Sequence, residues 1–178
     1  MSDCWISNPQ PGLKPLATDM APLEFTNEEF HQIRQRAERE YKTIGQAYCS
    51  YFQGKVHFNT LGFRHIVFKS WRKYRAPHDQ FMRLKHLPLA PEILSLSRTV
   101  QGIHETNEWE RRHRRGEWEK SLISVTYYEF IAVLRGKRFK VIVKQLPGGE
   151  RIFWSLIPFW RQTKEGKRLM HSGDPSTD

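Results

Sequence analysis

The stretch from residue 122 to 157 constrains the fold more than any other part of the chain. It is rich in β-branched and aromatic residues and is cut twice by turn-forming residues, at Arg135-Gly136-Lys137-Arg138 and Pro147-Gly148-Gly149-Glu150. Three antiparallel strands are expected, over 122–134, 139–146 and 151–157. With those two loops, Leu134 pairs with Phe139 and Leu146 with Arg151, and the pairing decides the faces. One face reads Tyr128, Phe130, Ala132 and Leu134, then Phe139, Val141 and Val143, then Ile152, Trp154 and Leu156. It is apolar throughout and needs helices to cover it. The other face carries Tyr127, Glu129, Ile131, Ile142, Lys144, Phe153 and Ser155. In this register Glu129 stands opposite Lys144, with Ser155 nearby. A slip of two residues exchanges partners and keeps the faces, whereas a slip of one flips a strand.

Helices occupy the first half. Thr26 and Glu29 form a capping box, and Phe30, Ile33, Ala37, Tyr41, Ile44 and Tyr48 make one apolar stripe, which predicts an amphipathic helix within 26–53. A short strand, Val56-His57-Phe58, leads to a helix capped by Asn59 or Thr60 that carries Arg64 to Lys69. The basic segment 70–79 is expected to stop at Ala76-Pro77. Further helical turns are expected over 81–87 and 91–97. Residues 1–25, with Pro9, Pro11, Pro15 and Pro22, read as an extended or disordered arm, and 162–178 as a polar tail. Residues 104–120 are almost all charged apart from Trp109 and Trp118, and read as a solvated loop or helix.

The charge is unevenly placed. The chain has 29 Lys and Arg against 19 Asp and Glu. Residues 55–86 hold 8 basic and 1 acidic residue, and residues 121–161 hold 7 and 2, so these blocks supply the whole excess. A basic surface of that size attracts a polyanion, although a basic protein need not bind one. An apolar run of about eighteen residues, long enough to cross a bilayer, does not occur. No secretory signal stands at the start, so a cytoplasmic location is expected. Cys4 and Cys49 cannot make a disulfide framework, and the sequence has no metal-ligand spacing, Walker loop or dinucleotide fingerprint. No metal or cofactor is expected.

A basic chain of this kind can act on RNA, which brings its own nucleophile in the 2′-OH. Cleavage then needs a base, a proton for the leaving 5′-oxygen, and cations for the phosphate. His65, Arg83, Glu129, Lys144 and Ser155 contain those roles. Lys69, Arg72, Lys73 and Arg75 on one side, with Arg138, Lys140 and Arg151 on the other, are the expected RNA track. The plain alternative for the sheet is a cross-strand Glu–Lys pair beside a solvent-facing serine.

Several strings in their order resemble a known family. A strand over 55–58, Phe63-Arg64-His65-Ile66 on a helix, Arg83 within FMRLKHLPLAPEIL, and strands ending in Phe153-Trp154-Ser155 are similar to the phage-associated barnase–EndoU–colicin–RelE-like nucleases. The likeness spans 54–161. It implies an α+β fold with helices packed on one face of a small antiparallel sheet, and metal-independent endonuclease activity on RNA of the toxin or effector type. It assigns His65 as general acid or base, Arg83 and Lys144 as phosphate holders, and Ser155 as a hydrogen-bond donor. Glu129 comes from strand register alone. Transfer RNA is the implied substrate class, and an acidic antitoxin or immunity protein the implied partner. A ribosome-dependent messenger-cleaving toxin and a non-catalytic nucleic-acid-binding module of the same fold are the alternatives.

Overall fold

The computed structural model describes residues 25–70, 73–114 and 116–158, with the backbone alone at 110–114. Arg72, residues 1–24 of the expected arm and the tail 162–178 lie outside the described residues. The fold is α+β: four α-helices and a six-stranded, mostly antiparallel sheet among the described residues, with helices covering one face. None of those helices is long and apolar enough to cross a membrane.

Helix α1 (Asn27–Ile44) starts at the Thr26–Glu29 capping box and ends at Gly45, whose φ of +58° is in the left-handed region. It stops before Tyr48, which belongs to β1 (Gln46–Cys49) and not to the helical stripe. β1 hairpins onto β2 (Gly54–His57). Asn59 caps α2 (Thr60–Val67) by accepting from the Leu61 and Gly62 amides. The helix ends sooner than expected, and Lys69 lies in β3 (Phe68–Ser70), paired with β4 (Lys73–Tyr74). Pro77 opens α3 (Pro77–His86) instead of closing a helix, because proline's fixed φ and missing N–H suit a first turn. A 3-10 turn leads into α4 (Ala90–Leu96).

The remaining strands are β5 (Gly102–Arg114), β6 (Glu117–Leu134), β7 (Lys137–Gln145) and β8 (Arg151–Pro158), in sheet order β1-β2-β8-β7-β6-β5. Residues 104–120 are therefore a β-hairpin and not a loop or helix, turning at Gly116 (φ +88°). The β6–β7 turn is the two-residue Arg135-Gly136, both at positive φ, so Leu134 pairs with Lys137. This moves the expected register by two: Glu129 faces Ile142, and Lys144 faces Tyr127.

In β8 the register breaks between Ile142 and Val143. Ile142 pairs with Ser155 as expected, but Val143 pairs with Phe153, leaving Trp154 as an extra residue. The bulge reverses the first half of the strand. Phe153 joins the helix-covered core, where it stacks on Phe58 at 4.6 Å, and Trp154 joins the opposite face with Val125, Tyr127, Ile142 and Ile157. The helix-covered core draws on both halves of the chain, from Ala37 and Tyr41 of α1 to Val141 and Leu156.

β2 meets β8 in parallel at a single pair, His57 and Ile152, so the outer edge of β8 beyond that point is taken by α2 and α3. Gly62 lets α2 come this close. A Cβ there would lie 2.0 Å from the Phe153 carbonyl oxygen and 2.6 Å from the Tyr41 hydroxyl. Gly62→Ala is expected to cost about 1–3 kcal/mol, the usual range for overpacking, read as a lowered urea midpoint at unchanged slope. His86, buried against Phe139, has its pKa lowered to about 4, first by desolvation and then by Lys137 and Lys85. The unfolded chain takes up that proton below its ordinary value near pH 6.5, which the folded chain resists. The stability held by the neutral ring is complete above pH 6.5 and is lost as pH falls toward 4. His86→Gln should flatten this part of the curve, and equal wild-type-minus-variant differences at pH 7 and pH 4.5 would contradict it.

Candidate functional site

The open face of the sheet, where β8 meets α2 and α3, gathers most of the expected groups. His65 sits on the inner side of α2 and is 7% exposed. Its ring stacks on the Trp154 indole at 4.3 Å. Its Nδ1 lies 3.2 Å from the Trp154 carbonyl oxygen, and its Nε2 lies 3.3 Å from Arg75 Nη2. A carbonyl only accepts and a guanidinium only donates. These contacts therefore require an Nδ1–H tautomer with the Nε2 lone pair directed at Arg75.

Arg75 is itself buried. Its Nε donates to the His65 carbonyl at 3.0 Å, and its Nη1 lies 3.5 Å from Asp79. Asp79 also accepts from Arg83 Nε at 2.9 Å, and Arg83 Nη1 donates to Ser155 Oγ. Asp79 is four residues after Arg75 and four before Arg83, so its carboxylate reaches both guanidiniums from the first turn of α3. The result is a line of His65, Arg75, Asp79, Arg83 and Ser155 along the outer edge of β8.

Lys144 joins this line through Trp154. Its Nζ lies 4.4 Å from the indole centroid and 5.4 Å from the Tyr127 ring. His65 and Lys144 thus both contact the Trp154 indole. Lys144 does not meet Glu129. It donates to Glu108 of β5 at 2.7 Å, and Glu108 also accepts from the Tyr127 hydroxyl. Glu129 instead takes Lys140, at 2.8 Å, with His104 at 3.8 Å. The expected Glu129–Lys144 pair fails because the β6–β7 turn is two residues shorter than assumed. Glu129 and Ser155 flank Ile142 on adjacent strands and share the face without touching.

The expected RNA track divides. Lys69 and Lys73 are exposed on the β3–β4 hairpin. Lys140 is on the open face beneath Glu129 and is 2% exposed. Arg138 follows the same alternation along β7. Arg151 does not belong with them: it pairs with Gln145 on the helix-covered side and lies 4.4 Å over the Phe52 ring. Sequence reasoning missed Asp79, whose i±4 spacing from two arginines was a visible signal. It also missed Glu108, which the hairpin brings in, and misplaced Trp154, which only the bulge turns to this face.

Comparisons of the chain with protein-family models, with curated proteins and with solved structures find no match. The site is therefore read from its own chemistry. Asp79→Ala would leave Arg75 and Arg83 buried without their shared counter-charge. It is expected to cost about 3 kcal/mol, the lower end for a broken buried pair because Asp79 keeps some contact with water. Chemical denaturation would show this, and a loss under about 0.5 kcal/mol, the range of ordinary surface substitutions, would contradict it.

Proposed function

We propose that the protein is a metal-independent endoribonuclease. The observation that carries this reading is the His65 imidazole, held by a carbonyl at one nitrogen with its Nε2 against the Arg75 guanidinium. In the reaction, Nε2 takes the proton of an RNA 2′-OH. The freed O2′ attacks the adjacent phosphorus, the bond from phosphorus to O5′ breaks, and O5′ leaves with a proton from water. A 2′,3′-cyclic phosphate remains. Arg75, drawn from the ring to the phosphate, and Lys144, on the other contact of Trp154, offset charge on the phosphate oxygens. Arg83 and Ser155 support the strand edge from behind. Glu129 holds Lys140 and serves the site's electrostatics, not proton transfer. The family resemblance points to transfer RNA as the substrate class and to an acidic inhibitor as the partner.

A second reading, RNA binding without cleavage, is favoured by burial: His65 is 7% exposed and Arg83 1%. Total RNA incubated with the protein in EDTA separates the two. The first reading expects discrete fragments ending in 2′,3′-cyclic phosphates. His65→Ala should lower the rate about 10²–10⁴-fold, the usual contribution of a positioned acid or base, and Lys144→Ala should lower it less. Intact RNA under all conditions, with salt-dependent binding retained, would select the second reading.

A further inference from the structure

The β5–β6 hairpin runs past the rest of the sheet. β7 pairs with β6 only from Thr126 onward, so the nine residue pairs from Thr106–Val125 to Arg114–Glu117 form a two-stranded ribbon. At about 3.3 Å per residue it is about 30 Å long. The catalytic reading uses only Glu108 from it.

Its two faces differ in kind. On one, the register sets Arg112 opposite Glu119 and Arg114 opposite Glu117. On the other, Arg111 stands opposite Lys120, and no position from 109 to 113 or from 118 to 122 on that face carries an acid. Like charges directly across a strand pair repel. Flanking that cationic pair are Trp109, paired with Leu122, and Trp118, paired with His113. Both tryptophans are 71% exposed, and Leu122 is 52% exposed. Trp109 and Trp118 lie four residue steps apart along the ribbon, about 13 Å, with the cationic pair between them.

We propose that this face of the ribbon is a binding surface for single-stranded RNA. Unpaired bases stack on Trp109 and Trp118, and the intervening phosphates lie against Lys120, whose position on the ribbon is between them. Alternating rings and cations match the alternation of base and phosphate, as in other single-strand binding grooves. A second copy of the chain would bring the same cation against Lys120. The ribbon tip, Arg114 to Glu117, is charged and unsuited to insertion in lipid. The choice of RNA rests on the nuclease reading, whereas the ribbon's role as a binding surface does not need catalysis.

The probe is a fluorescent 2′-O-methyl oligonucleotide of mixed sequence, which cannot be cut because its 2′-oxygen is blocked. Binding is measured by anisotropy beside a duplex of the same length. Wild type is expected to prefer the single strand. Trp109→Ala and Trp118→Ala should each weaken binding about tenfold, as loss of one stacked base does. Trp109→Phe should retain most of it, and Lys120→Glu should weaken binding and reduce its salt dependence. Circular dichroism checks that each variant is folded. Equal binding by wild type and the Trp109→Ala/Trp118→Ala double variant overturns the proposal. So does ribbon-dependent self-association in sedimentation velocity, or ribbon-dependent binding to anionic vesicles, without an effect on the oligonucleotide. Cleavage assays on natural RNA keep the readings apart. Ribbon-dependent binding without cleavage removes the nuclease and leaves this surface, and cleavage with ribbon-independent binding does the reverse.

Discussion

A single additional residue in β8 underlies both the core and the site. Between the Ile142–Ser155 and Val143–Phe153 pairs, Trp154 has no partner across the ladder. The strand bends there, as bulged strands do. Phe153 turns inward onto Phe58 and Tyr41, and Trp154 turns outward under His65 and Lys144. The Trp154 carbonyl is met by a histidine ring nitrogen instead of a neighbouring strand. Because β2 has already left the edge after one pair, α2 and α3 fill the space, and Gly62 permits the approach. Without the bulge, Trp154 would enter the helix-covered core, and the imidazole and the ammonium would lose their common neighbour.

Electrostatics then sort the basic residues into three kinds. Arg75 and Arg83 are buried and joined by Asp79, and their role begins with holding α3 to β8. Lys140 and Lys144 face the open side but are engaged by Glu129 and Glu108. An anion arriving at that face competes with carboxylates already in place, and gains most where it can replace them with several donors at once. Lys69 and Lys73 are in water, on a small hairpin beside the sheet. A surplus of charge along the chain is therefore not the same as a surplus at a surface. On the ribbon, adjacent residues of the same strand fall on opposite faces, with Arg112 opposite Glu119 on one and Arg111 opposite Lys120 on the other.

Much of the architecture was legible from local chemistry. The Thr26–Glu29 box, the Asn59 cap, the turns near 135 and 148 and the alternation along β7 depend on residues close in sequence, and the structure has each of them. The 104–120 excursion was misread because charge was weighed above period: Trp109 and Trp118 recur on one face, and the hairpin turns at Gly116. The site was legible only in part. His65, Arg83 and Lys144 do meet β8 at Trp154 and Ser155, but the Glu129–Lys144 pair dissolved with a two-residue change of register, and Arg151 fell on the covered side.

The sequence by itself determined the class of fold, the starts of α1 and α2, and the alternation of β6 and β7, since these follow from backbone preferences and the burial of apolar side chains over a few residues. Tertiary structure alone decided which carboxylate each lysine meets and which way Trp154 points. Those outcomes depend on the length of one turn and the presence of one bulge. The turn is set locally by Arg135-Gly136 at positive φ, whereas the bulge goes with the packing of Phe153 on Phe58 and Tyr41 across the core, a many-body fit that has no local signal in the chain.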